Sequence, residues 1–173
     1  PYTTSIDMVN HIKEVTPDSL NYLIKDMFET ITLYQNRVVE AKTEKLDNGK
    51  YKVDIEFKVS KYRNNEKGRA FYGEEERDSI YYQNDEMKKP EYSVFLADYI
   101  DVGIFGKDGD DIETELYLKK HKISSIHNKI SIIVDKEPAE VGIDPYNKLI
   151  DTNSEDNRKK IKEEIPKNEK KTV

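Results

Sequence analysis

Asp144-Pro145-Tyr146-Asn147, followed by Asp151 and Asp156-Asn157, is the densest grouping of carboxylates and amides in the sequence. Side chains of this kind could take up a cation or share a proton. They also pin successive turns, because Asp and Asn oxygens accept from main-chain N–H groups a residue or two further on. Pinned turns, with Tyr146 and Leu149 tucked against the fold, are the expectation. Asp108-Gly109-Asp110-Asp111 carries calcium-type oxygens, but it lacks the residue order and the closing bidentate Glu of a calcium loop. It reads as a polar hairpin turn.

The three histidines, His11, His121 and His127, show neither His-x-x-x-His nor His-x-His spacing. Such spacing is what turns two imidazoles toward one metal. Each is expected as a solvated or hydrogen-bonded surface group. There is no Cys, hence no thiolate nucleophile, thiolate metal site or disulfide framework. No Ser sits in a Gly-x-Ser-x-Gly elbow and no Gly-rich loop leads into a helix. Glu74-Glu75-Glu76 reads as a solvated charge run. Tyrosine accounts for 12 residues, and Tyr81-Tyr82, Tyr92 and Tyr99 are candidates for stacking on sugars or peptides. Amphipathic rings also suit half-exposed strand positions, so packing is the expected role. No catalytic, cofactor-binding or metal-ligating residue is assigned.

A chain of 173 residues supports one substantial core with an appended element. The net charge of −6, with Lys and Glu mixed along the strands, argues against a nucleic-acid partner, which needs a concentrated basic face. No apolar run is long enough to cross a bilayer, and Pro1-Tyr2-Thr3-Thr4 has no signal-peptide pattern. An opening Pro rather than Met favours a piece cut from a longer protein.

Helical spacing dominates the first 34 residues. Thr4 and Asp7 have capping-box spacing ahead of Met8, Ile12 and Val15, which predicts a short helix over 5–14. Thr16-Pro17-Asp18 predicts a second start, and Leu20, Leu23, Ile24, Met27, Phe28 and Ile31 lay one apolar stripe along the helix that follows. From Val39, Ala41 and Thr43 onward the period becomes two. Asp47-Asn48-Gly49 supplies a hairpin turn, and Tyr51, Val53, Ile55, Phe57 and Val59 form one face of the return strand. Lys52, Asp54, Glu56, Lys58 and Ser60 form its wet face. Asn64 to Gly68 reads as a turn, and 69–90 as edge strands with a long loop. Further strands are expected over 93–105, 113–120, 128–134 and 140–143, with a short charged helix from Ser154 to about Ile165.

The predicted fold is α+β, mainly β: an N-terminal helical pair (1–37), an immunoglobulin-like antiparallel β-sandwich (38–144) and a turn-rich charged C-terminal tail (145–173).

Three stretches carry a family resemblance. Pro1 to Ser5, Asp18 to Leu23 and Phe28 to Tyr34 resemble the last helices of the catalytic domain in zinc aminopeptidases of the aminopeptidase N family. Leu96-Ala97-Asp98-Tyr99-Ile100-Asp101-Val102-Gly103-Ile104-Phe105-Gly106 resembles the C-terminal β domain of a bacterial branch in which the peptidase is fused behind an ABC-type permease. So does Val141-Gly142-Ile143-Asp144-Pro145-Tyr146-Asn147-Lys148-Leu149-Ile150-Asp151, with Glu155-Asp156-Asn157. The likeness covers most of the chain except 71–89, which reads as an insertion.

The family's His-Glu-x-x-His helix, its further ligand Glu and its oxyanion Tyr have no counterpart in this sequence. The resemblance therefore implies a non-catalytic supporting domain, with no cofactor of its own and zinc held in the parent's catalytic domain. Its implied partner is that catalytic domain, the parent's substrates are peptides, and the parent sits in a bacterial inner membrane that this segment does not enter. The membrane side is open, with the periplasm preferred. Two other readings stand beside it: an independent β-sandwich binding module for peptide, glycan or protein, and a small metal-dependent enzyme built on the acidic cluster.

Overall fold

The computed structural model describes residues 2–64, 70–72, 75–76, 82–83, 86–87, 94, 96–108 and 112–161. The expected turn over 65–68, Glu74, Tyr81, Tyr92, Ser93, 109–111 and everything beyond Ile161 lie outside the described residues. The chain divides into two compact units, Pro1–Tyr34 with Ser60–Leu96, and Gln35–Val59 with Ala97–Val173. The fold is α+β and mainly β, with two short helices ahead of antiparallel sheets.

In the first unit, α1 (Ser5–Val15) opens on the expected capping box. Thr4 N–H donates to Asp7 Oδ2 at 2.8 Å and Asp7 N–H to Thr4 Oγ1 at 3.2 Å, so each satisfies a donor the helix start leaves open. The second helix departs from expectation. Thr16 caps the end of α1, a 3₁₀ turn covers Asp18–Leu20, α2 is only Asn21–Ile24, and a π-helical turn, Lys25–Glu29, follows. The widened turn changes which side chains face inward: Ile24 and Asp26 are buried, whereas Met27 and Phe28 are exposed. A uniform helix would have buried the apolar stripe instead.

Strand β1 (Ile31–Lys45) begins where that stripe was expected to end, eight residues before the predicted change of period at Val39. Its first half turns polar residues inward. Thr32, Tyr34, Asn36 and Val38 are buried while Ile31 is exposed, so hydrophobicity alone picks the wrong face. From Val39 the predicted phase holds, with Ala41 buried between exposed Glu40 and Lys42. The hairpin forms as predicted: Gly49 has φ +79° and donates to Leu46 O at 2.9 Å, and Leu46 N–H donates to Lys50 O at 2.8 Å.

Strand β2 (Tyr51–Asn64) buries Val53, Ile55, Phe57 and Val59, as the alternation requires. It runs past its expected end. Ser60, placed on the wet face by its pattern, is buried together with Lys61 and Tyr62, and Asn64 is strand rather than turn. Short strands β3 (Ala70–Tyr72), β4 (Glu75–Glu76), β5 (Tyr82–Gln83) and β6 (Glu86–Met87) lie in the stretch read as edge strands.

The remaining strands are β7 (Asp98–Asp108), β8 (Ile112–Ile123), β9 (His127–Val134), β10 (Pro138–Ile143) and β11 (Arg158–Lys160). One sheet has the order β1-β2-β3-β4 with β9 also on β2, and the second has the order β11-β10-β7-β8. In the second unit both sheets feed one core, in which Val53, Phe57, Val102, Ile104, Val141 and Ile143 are fully or almost fully buried. This is a sandwich-like arrangement.

Two expectations are corrected here. Gly106, Lys107 and Asp108, expected in the turn, belong to β7, paired with Thr114, Glu113 and Ile112. Ser154–Asp156 is a 3₁₀ turn, and Arg158–Lys160 is a strand on β10 rather than a helix. The cause is Asn157, which is fully buried, and whose carbonyl accepts Ile143 N–H at 2.9 Å; a charged helix there would have had little to bury. Among the described residues no helix is long and apolar enough to cross a membrane.

Candidate functional site

The acidic and amide grouping does assemble: the carboxylates of Asp144 and Asp151 accept from main-chain N–H groups, while Asp156 Oδ1 is buried without a hydrogen bond. Asp144 follows β10 in the left-handed region, at φ +45°, where Asp is better tolerated than most residues. Its N–H donates to Asp101 O at 2.7 Å. Its carboxylate accepts Lys148 N–H at 3.0 Å and Leu149 N–H at 2.9 Å. Burial pushes the Asp144 carboxyl up, against those two N–H groups, and the charges of Asp101 and Asp151 push the same way as burial. At Asp101 burial also raises, but the Lys148 ammonium at 2.7 Å, with Lys120 at 3.6 Å, outweighs it and holds the carboxyl below its usual range.

One turn further on, Asp151 Oδ2 accepts Asn36 N–H at 2.8 Å and its Oδ1 accepts Asn153 N–H at 2.9 Å. The Asn157 amide nitrogen is assigned toward Asn36 O at 2.7 Å and Asp151 Oδ2 at 3.2 Å. Asp156 is raised first by burial and then by Asp151, with Arg37 opposing. What this arrangement does chemically is hold the connection from β10 to β11 in one shape. No three side chains of metal-ligating type converge among the described residues.

The other candidates stay apart from it. His11 is exposed beside Glu14, His127 opens β9 opposite Lys58, and His121 shares a 2.8 Å hydrogen bond with Tyr117 OH. Tyr99 is exposed on β7. Tyr146 lies edge-on to Phe105 and donates to Glu115 at 3.0 Å. Asp108 ends β7, and Glu75 and Glu76 make up β4.

One feature of the first unit was missed by sequence reasoning. Under the π-helical turn, Asp26 meets Lys61 at 2.8 Å and Arg63 at 2.7 Å, with Asp26 and Lys61 almost wholly buried. The Lys61 ammonium also lies 5.4 Å from the Tyr22 ring centroid. The only sequence signal would have been the Lys61 charge interrupting the tail of a strand. The helical segment also carries an apolar surface, where Ile6 (71 %), Met27 (70 %) and Phe28 (43 %) are exposed, with Ile31 (51 %) exposed at the start of β1. Ile6, Val9 and Phe28 line a shallow groove of about 280 Å³, closed at one side by the Lys13–Glu29 ion pair.

No family model matches the chain, and no curated protein or solved structure matches it.

Proposed function

We propose that this chain is a non-catalytic supporting domain that docks through its N-terminal helical segment. The observation that carries this reading is the exposed apolar surface of Ile6, Met27 and Phe28 on that segment, with exposed Ile31 at the start of β1. The acidic cluster supports the same reading, because the carboxylates of Asp144 and Asp151 are engaged by main-chain N–H groups. The partner we propose is the catalytic domain of a membrane-tethered zinc aminopeptidase on the same polypeptide. That parentage rests on the sequence resemblance alone.

Reading the gene upstream of the Pro1 codon tests the parentage. The expected result is a His-Glu-x-x-His helix followed by a ligand Glu. An upstream sequence without that pattern removes the aminopeptidase. Metal analysis tests the non-catalytic part separately: one tightly held zinc per chain, with hydrolysis of an aminoacyl reporter, would overturn it.

A further inference from the structure

Among the described residues strand β1 is terminal in its sheet, with β2 on one side only. A terminal strand leaves a row of N–H and C=O groups open to pairing with another chain. Here part of that row is occupied by side chains from one short segment. Asp151 Oδ2 accepts the N–H of Asn36 at 2.8 Å, the Asn157 amide nitrogen as assigned above donates to the carbonyl of Asn36 at 2.7 Å, and Lys159 Nζ donates to the carbonyl of Val39 at 2.5 Å. The same segment is tied to the second sheet, because Arg158–Lys160 pairs with β10 and Ile161 N–H donates to Ala139 O at 2.9 Å.

We infer that residues 151–159 are an edge guard, whose Asp151, Asn157 and Lys159 side chains cap the main-chain groups of Asn36 and Val39 and so keep β1 from pairing with β1 of a second copy. A second copy is the occupant excluded because the donor and acceptor row of one strand edge complements itself across a two-fold axis. Three polar side chains cap these groups where another strand would have done so with its backbone. The inference is independent of the proposed docking through the helices.

The test is amide hydrogen exchange over β1, read against protein concentration in the full chain, for wild type and for Asp151→Ala with Lys159→Met. Dilute variant should exchange the amides of 36–39 about tenfold faster than wild type. As concentration rises, protection should return over β1 while sedimentation shows a dimer. Asp151→Asn keeps an acceptor oxygen and should behave as wild type.

Unchanged exchange at Asn36 in a folded variant overturns the inference. So does faster exchange with no return of protection at high concentration, which would make the segment a cover and not a guard. Protection that returns on α1 rather than on β1 assigns association to the helices and also overturns it. If the double variant loses its far-ultraviolet circular dichroism, Lys159→Met alone is read by the same criteria at Val39 and its neighbours.

Discussion

Gly103 of β7 and Gly142 of β10 sit directly opposite one another, and the space their missing side chains leave is filled by Phe105 and Pro145. A Cβ on Gly103 would lie 2.7 Å from the Phe105 ring, and one on Gly142 would lie 2.8 Å from Pro145 Cβ. The ring cannot easily give way, because it is buried under the Arg158 guanidinium, 4.2 Å from its centroid, with Tyr146 edge-on beside it.

Gly142→Ala should therefore destabilise the chain by about 1–3 kcal/mol through overpacking against a rigid proline. Gly103→Ala should cost a similar amount. Urea unfolding midpoints decide it, and variants that unfold with the wild type would show that the cross-strand glycines are incidental.

Phe57 is fully buried in β2, in the register that pairs it with Asn128. Phe57→Ala should cost about 3–5 kcal/mol, whereas Lys58→Ala, on the other face, should stay within about 0.5 kcal/mol. Equal effects from the two would mean that the strand is slipped by one residue.

The parts legible in the sequence were those in which hydrophobicity and burial agree. The alternation of β2, the Thr4–Asp7 box and the Asn48-Gly49 turn belong to this class. Where polar groups are buried in pairs from distant segments, the signal disappears. Asp26 and Lys61 are 35 positions apart, and each alone reads as surface charge. Thr32, Tyr34 and Asn36 face inward on β1 while Ile31 faces out, so an apolar stripe continuing a helix was the natural misreading. Asn157 likewise decides the path of the chain after Asp151 through a buried amide that no periodicity announces.

Asp26 answers two cations in a nearly buried cluster. Asp26→Ala should cost about 3–5 kcal/mol, since removing one partner of a buried ion pair leaves charge uncompensated. A loss below about 1 kcal/mol in thermal or urea unfolding would contradict the cluster as a determinant of stability.

The carboxylates of the second unit give stability two opposing pH dependences. Asp101 is held below the ordinary 3.8, so its contribution is present above that value and lost as pH falls through the folded pKa. Asp144 is raised above 3.8, so its contribution is present below that value and lost as pH rises through the folded pKa. Asp101→Asn should flatten the acid limb of a stability profile measured from about pH 2 to about pH 7, and Asp144→Asn should remove the fall on the less acid side of 3.8. Identical profile shapes for both variants and wild type would contradict these assignments.

Side-chain footprinting by a photogenerated carbene tests the supporting role most directly, comparing this chain alone with the same chain joined to the catalytic domain proposed as its partner. Ile6, Met27 and Phe28 are exposed in the chain by itself. The account predicts that their labelling falls severalfold in the longer polypeptide while that of exposed Ile133 on β9 is unchanged. Equal labelling of Ile6, Met27 and Phe28 in both forms would contradict docking through the helical segment.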